Sequence, residues 1–129
     1  LKKVTKLFNR VGIVLELNKE SSMEKFTGFI GSGPAYFFYL LKTYEKNLNK
    51  LSNGDSLKSK EIIASLLNGV ALSIKNGGSM DELINIVASK KGTTEAGINL
   101  FKSKKLLNIF DYGIKSAIKR SKEISNEYK

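Results

Sequence analysis

Apolar residues recur at three- and four-residue steps over most of the chain, and that spacing predicts helices. Residues 3–9 carry a short helical pattern, with Val4, Leu7 and Phe8 on one side. A long helix starts at Ser32-Gly33-Pro34, with proline in the first turn, where its missing N–H costs nothing. It carries Tyr36, Phe37, Leu40, Leu41, Tyr44 and Leu48, and its first turns are apolar nearly all round, which predicts burial on several sides. Ser52-Asn53-Gly54-Asp55 breaks it. A second long helix over residues 57–75 repeats Ile62, Ile63, Leu66, Leu67, Val70, Ala71 and Ile74. Asn76-Gly77-Gly78 stops it, and Ser79-Met80-Asp81-Glu82 reads as a capping box opening a helix with Leu83, Ile86 and Val87. A short helix is expected over 96–101 and a last one over 104–127, striped with Leu106, Phe110, Ile114, Ile118 and Ile124. The polar end of that helix, 119–129, is expected to fray.

The start of the chain breaks the pattern. After Gly12, the segment Ile13-Val14-Leu15-Glu16-Leu17 is β-branched and strand-like, and 18–25 reads as a polar link. A single strand forms no sheet, so it must pair outside this chain or with an edge of a partner copy. From Phe26 onward the expected fold class is all-α. Tyr36, Phe37, Phe38, Tyr39 and Tyr44 point to several faces of one helix, which argues for contact with a second chain.

Composition narrows the chemistry. The chain has 129 residues, suited to one domain or one domain plus part of another. With no His and no Cys, there is no Ser-His-Asp triad, no thiolate and no imidazole base, and no metal site is expected. Lys plus Arg number 22 against 12 acids, a net charge of +10. Arg occurs only at Arg10 and Arg120, and the lysines are spread from Lys2 to Lys129, so the charge reads as a solvated surface. No specific nucleic-acid partner is expected, and only weak affinity for polyanions follows. The segment from Leu1 to Phe8 lacks the apolar run of a signal peptide and begins without Met, so a cytoplasmic chain that starts mid-protein is expected. No apolar run is long enough for a membrane span.

Two glycine-containing segments are candidate sites. Gly28-Phe29-Ile30-Gly31-Ser32-Gly33-Pro34 has the wrong order for a dinucleotide fingerprint, since its close glycine pair comes last and is followed by Pro34. On periodicity alone the glycines permit tight entry into a packed helix. Ser89-Lys90-Lys91-Gly92-Thr93-Thr94 ends at a helix N-terminus, where free N–H groups and the dipole suit an anion. Thr93 or Thr94 would equally serve as an N-cap, and on these residues alone both readings stand. Among the carboxylates, Glu16, Glu82 and Glu95 have no paired partner at a telling spacing.

The order Gly31-Ser32-Gly33-Pro34-Ala35-Tyr36, then helices, then Gly92-Thr93-Thr94-Glu95-Ala96-Gly97 resembles pyrroline-5-carboxylate reductase. That family carries GSGPAY at the start of its helical domain and an SPGGTT-x-AG segment farther on. The resemblance spans residues 8–123 and implies a reductase using NADPH or NADH to turn 1-pyrroline-5-carboxylate, its small-molecule substrate, into L-proline. It implies an interleaved helical homodimer. Residues 1–25 would be the tail end of a Rossmann cofactor domain and a linker, and 26–129 the helical dimerisation and substrate-binding domain. Ser89, Gly92 and Thr93 would hold the substrate carboxylate through amides and hydroxyls. Thr94, the catalytic candidate, would hydrogen-bond the ring nitrogen, and Gly31, Ser32, Gly33 and Pro34 would line the pocket beside the nicotinamide.

One departure bears on the site. The family's Pro-Gly before the last glycine is Lys90-Lys91 here. If Lys91 takes the left-handed backbone of the glycine it replaces, strain of about 1 kcal/mol is expected. The two ammonium groups would also attract a carboxylate. A diverged, non-catalytic dimerisation module is the alternative reading, with a basic helical nucleic-acid binder behind it.

Overall fold

A computed structural model describes residues 2–127. Helix α1, Lys2–Phe8, is followed at 13–17 by a segment without regular secondary structure, and no strand forms there among the described residues. Ile13 is fully exposed at 102%. The expected strand is therefore absent from one copy, and the Thr5 hydroxyl holds the segment to α1 by donating to the Glu16 carboxylate at 2.7 Å.

The expected polar link contains a helix instead. Helix α2, Ser22–Phe26, runs without a break into a π-helical turn, Thr27–Gly31. The 18–25 stretch looked polar because α2 buries only one side, against α7. Helix α3, Gly33–Leu51, follows, with Pro34 in its first turn. The break after it uses left-handed Asn53 (φ 53) and Gly54 (φ 88). Asp55 caps helix α4, Ser56–Lys75, by accepting from the Lys58 N–H at 2.9 Å. Ser59 is fully buried in this corner, bonded to the Asp55 carbonyl at 3.0 Å and the Ser52 hydroxyl at 3.1 Å.

Helix α5, Met80–Val87, opens on the expected capping box. The Glu82 N–H donates to the Ser79 hydroxyl at 3.2 Å, and the Ser79 N–H donates to the Glu82 carboxylate at 2.7 Å. Those bonds hold the Glu82 carboxyl below its ordinary pKa, the backbone bond contributing most. Helix α6, Thr93–Ser103, begins three residues earlier than the periodicity suggests. Lys105 (φ 54) turns the chain into α7, Leu106–Glu127. The polar end expected to fray is helical as far as Glu127, where Arg120 bridges Glu123 and Glu127 at 3.2 and 3.1 Å. Residues 128–129 lie outside the described range.

Packing follows from these joints. Helix α3 pairs with α4, α5 folds back on α4, and α6, α2 and the π turn all rest on α7. This leaves an open assembly. Among the described residues Ile63, 9% exposed, is the only buried apolar side chain. The accessible surface is 11348 Å², whereas a compact monomer of this mass exposes about 6800 Å². One copy therefore does not close its own core, and Phe37, Phe38 and Tyr39 stand exposed where the all-round apolar pattern predicts burial, because a single copy has nothing to lay on that face. No helix is long and apolar enough to cross a membrane.

Candidate functional site

The α5–α6 connection is a tight hook. Ala88 leaves α5 in an extended conformation, and the Gly92 N–H closes the turn on the Ser89 carbonyl at 3.0 Å. Lys91 is left-handed at φ 58, as its place in the hook demands. Its N–H donates to the Glu95 carboxylate at 2.5 Å, which pins the hook to the first turn of α6. Gly92 is needed for a different reason. A Cβ there would land on the Ser89 hydroxyl and lie 3.0 Å from its carbonyl.

The N-cap of α6 is Gly92, so no side chain caps this helix. The reading of Thr93 or Thr94 as the cap is thereby overturned: both already lie inside the first turn, past the position from which a hydroxyl reaches the N–H groups ahead. The Gly92 N–H is engaged, and those of Thr93 and Thr94 find no acceptor among the described residues. Ser89 and Thr93 are exposed, whereas Thr94 is half-buried. Thr94 faces an open apolar groove of about 850 Å³ between α4, α5 and α6, lined by Leu66, Val70, Met80, Val87 and Ile98. Lys90 and Lys91 are exposed, and neither ammonium has an acidic partner among the described residues. No cluster of acids that could hold a metal occurs among the described residues.

The second candidate segment straddles the π turn and the start of α3. Gly31 and Pro34 are exposed, Ser32 is half-buried and Gly33 is buried. The Ser32 hydroxyl makes no capping bond, and its N–H donates to the Thr27 carbonyl at 2.9 Å, the π spacing. Upstream, Gly28 lies against Ile118 of α7, where an added Cβ would sit 2.5 Å from Cγ1 and 3.1 Å from the backbone nitrogen. The Tyr36 hydroxyl donates to the Gly28 carbonyl at 3.1 Å.

Within one copy the two segments are not packed on each other, although α6 and the π turn both rest on α7. Sequence reasoning passed over Glu95 and Tyr36. The signal for Glu95 was its place three residues after a glycine at a helix start, the position from which acids reach back. Tyr36 had no such signal, because its bond spans a π winding that the glycine spacing shows only as tight entry into a helix.

The family model for pyrroline-5-carboxylate reductase dimerisation matches residues 20–124. The chain belongs to this dimerisation family. Its relatives include pyrroline-5-carboxylate reductase 1 of Bacillus subtilis, 38% identical over 110 residues, which cover 84% of this chain and 37% of that protein. The pyrroline-5-carboxylate reductase of Staphylococcus aureus is 32% identical over 124 residues, covering 95% of this chain and 45% of its own. Among solved structures, the pyrroline-5-carboxylate reductase of Coxiella burnetii superposes with a TM-score of 0.79 at 26% identity, covering 95% of this chain and 45% of that one. The pyrroline carboxylate reductase of Plasmodium falciparum, solved with NADP bound, shares the fold at the same TM-score of 0.79 and 24% identity. The chain spans less than half the length of these relatives.

Proposed function

We propose that this chain is the dimerisation and substrate-binding part of an NAD(P)H-dependent reductase that converts 1-pyrroline-5-carboxylate to L-proline. The observation that carries the reading is the uncapped α6 N-terminus in the Ser89–Thr94 hook, on a chain of the reductase dimerisation family. The open N–H groups of Thr93 and Thr94 and the hydroxyls of Ser89 and Thr93 receive the substrate carboxylate. No charged side chain is required, because the helix dipole favours an anion there. Thr94, at the edge of the groove, places its hydroxyl on the ring nitrogen and holds the C=N face.

The Gly31–Pro34 turn fits a flat nicotinamide. Gly31 and Pro34 are exposed, and a Cβ at Gly31 would meet only a methyl group at 3.6 Å, so this end of the turn offers backbone that a flat ring can approach. When bound, the cofactor supplies a hydride to the C=N carbon. The nitrogen takes its proton from water or arrives protonated, and the protein contributes position and polarity. The residues before α2 belong to the tail of a cofactor domain and its linker, and the helical domain starts with α2 rather than at Phe26, because α2 runs into the π turn and rests on α7. A homodimer supplies the missing cover for the core: the excess surface over a compact monomer is about 4500 Å² in each copy, about 9000 Å² over two, which exceeds an ordinary obligate interface and suits chains that interleave.

The test is NADPH or NADH oxidation by the full-length protein with 1-pyrroline-5-carboxylate. A rate no higher than that without substrate refutes the catalytic reading. Left-handed Lys91, where the family pattern has glycine, favours one second reading: a dimerisation module that no longer catalyses. A stable dimer that binds no cofactor and turns nothing over selects it. A chain that sediments as a clean monomer at micromolar concentration refutes the dimer in both readings.

A further inference from the structure

The π turn at Thr27–Gly31 is the least regular winding in the helical part of the chain. Such a turn is uncommon and persists only where its surroundings hold it. Here the hold comes from Tyr36 and α7. The Tyr36 hydroxyl donates to the Gly28 carbonyl at 3.1 Å. The Tyr36 ring stands edge-on to Phe110 of α7, with centroids 5.9 Å apart and planes at 82°. Gly28 itself is buried against Ile118, about two turns farther along α7. Tyr36 thus ties both ends of the Gly31–Pro34 segment to one rigid helix: its own backbone follows Pro34, and its hydroxyl reaches back across the segment to Gly28.

We propose that Tyr36 is a positioning residue, whose hydroxyl locks the π winding and so sets the direction in which Gly31–Pro34 present their backbone to the nicotinamide. This rests on the cofactor-facing role proposed above for that segment. The geometry explains why one bond matters. Rewinding a π turn to an α turn takes one residue out of it, rotating what lies on one side by about 100° against the other. The Gly28 carbonyl, held by the hydroxyl, is the group that would have to move.

The experiment uses the full-length protein, its cofactor domain included, and the substitution Tyr36→Phe, which keeps the ring on Phe110. The dissociation constant for NADPH and for NADH is expected to rise about fivefold, the scale of one net hydrogen bond. The KM for 1-pyrroline-5-carboxylate is expected to stay within about twofold, because the α5–α6 hook is not packed on the π turn. A merely structural role would lower the thermal midpoint and weaken both ligands together. Unchanged cofactor affinity, or equal weakening of cofactor and substrate, overturns the proposal. If the unsubstituted protein binds cofactor but does not turn over the substrate, the proposed reaction fails while the Tyr36→Phe cofactor affinity still decides this inference. If it binds neither NADPH nor NADH, the inference falls.

Discussion

Replacing Lys91 by glycine should make this protein more stable, although the change deletes a whole side chain. Lys91 holds φ 58, a conformation that costs a residue with a Cβ about 1–2 kcal/mol. Glycine relieves that cost, but its freer unfolded chain offsets about 0.4–1 kcal/mol of the gain. The side chain itself contributes little: it is exposed and makes no ion pair among the described residues. The bond to Glu95 comes from the backbone N–H and survives the substitution. The net expectation is a gain of roughly 0.5–1 kcal/mol. Urea unfolding of the assembled protein measures it, at one fixed protein concentration because a dimer's midpoint depends on concentration. With a slope of about 2 kcal/mol/M, the midpoint should rise by roughly 0.3–0.5 M. Lys91→Ala keeps the Cβ and should fall short of glycine by about 1 kcal/mol. Lys105→Gly, at φ 54, should repeat the gain outside the site. Lys90→Gly is the control, since Lys90 is not left-handed and should lose stability. If Lys91→Gly is destabilised as much as Lys90→Gly, the strain assigned to the hook does not exist.

Gly28→Ala should cost about 1–3 kcal/mol by overpacking against Ile118. A matching Ile118→Ala change should restore only part of it, because the Ile118 backbone nitrogen still lies 3.1 Å from the new Cβ; urea midpoints of the four proteins in that cycle check both statements. Ser79→Ala should lower the urea midpoint by the equivalent of about 1 kcal/mol through loss of the α5 cap. The lowered pKa of Glu82 fixes a pH dependence. A depressed carboxylate stabilises the fold above its unfolded value and loses that contribution as pH falls through the folded one. The stability gap between the unsubstituted protein and Glu82→Gln should therefore be full at neutral pH and close below about pH 4.3, the ordinary glutamate value. In the full-length protein, replacing Lys90 and Lys91 together by glutamine should raise KM for 1-pyrroline-5-carboxylate about two- to fourfold at low salt. The difference should vanish at high salt, and a salt-independent difference would mean that the ammonium groups do not act through charge.

The helices from Gly33 onward were legible because each has local punctuation: Pro34, Asp55, the Gly77-Gly78 stop and the Ser79–Glu82 box act within a few residues of themselves. The strain at Lys91 was legible only through the resemblance, which places a glycine at that position; the residues around it carry no local signal for a left-handed backbone. What was missed depends on contacts across the chain. Helix α2 looked like a linker because only one side meets α7, and the π turn looked only like tight entry into a helix because its stability comes from Tyr36, Phe110 and Ile118 rather than from its own sequence. The capping role offered to Thr93 and Thr94 failed on register: α6 starts at Thr93 itself with Gly92 as its N-cap, a boundary that side-chain pattern leaves open.

The open core and the site are connected by α7. That helix carries Ile118 against the π turn and Phe110 against Tyr36, and also seats α6, whose N-terminus follows the Ser89–Thr94 hook. It does so while presenting no buried side chain of its own. A helix that aligns both candidate segments but is itself uncovered can hold them accurately only when another surface packs on it. If the second copy provides that surface, assembly and site geometry are one equilibrium. Dilution that separates the copies should then loosen the hook and the Gly31–Pro34 turn together, before any helix melts. Hydrogen exchange at a concentration series distinguishes the cases: protection at the bonded Gly92 and Ser32 amides should fall in step with the dimer fraction, and protection that ignores concentration would show that one copy holds its site unaided.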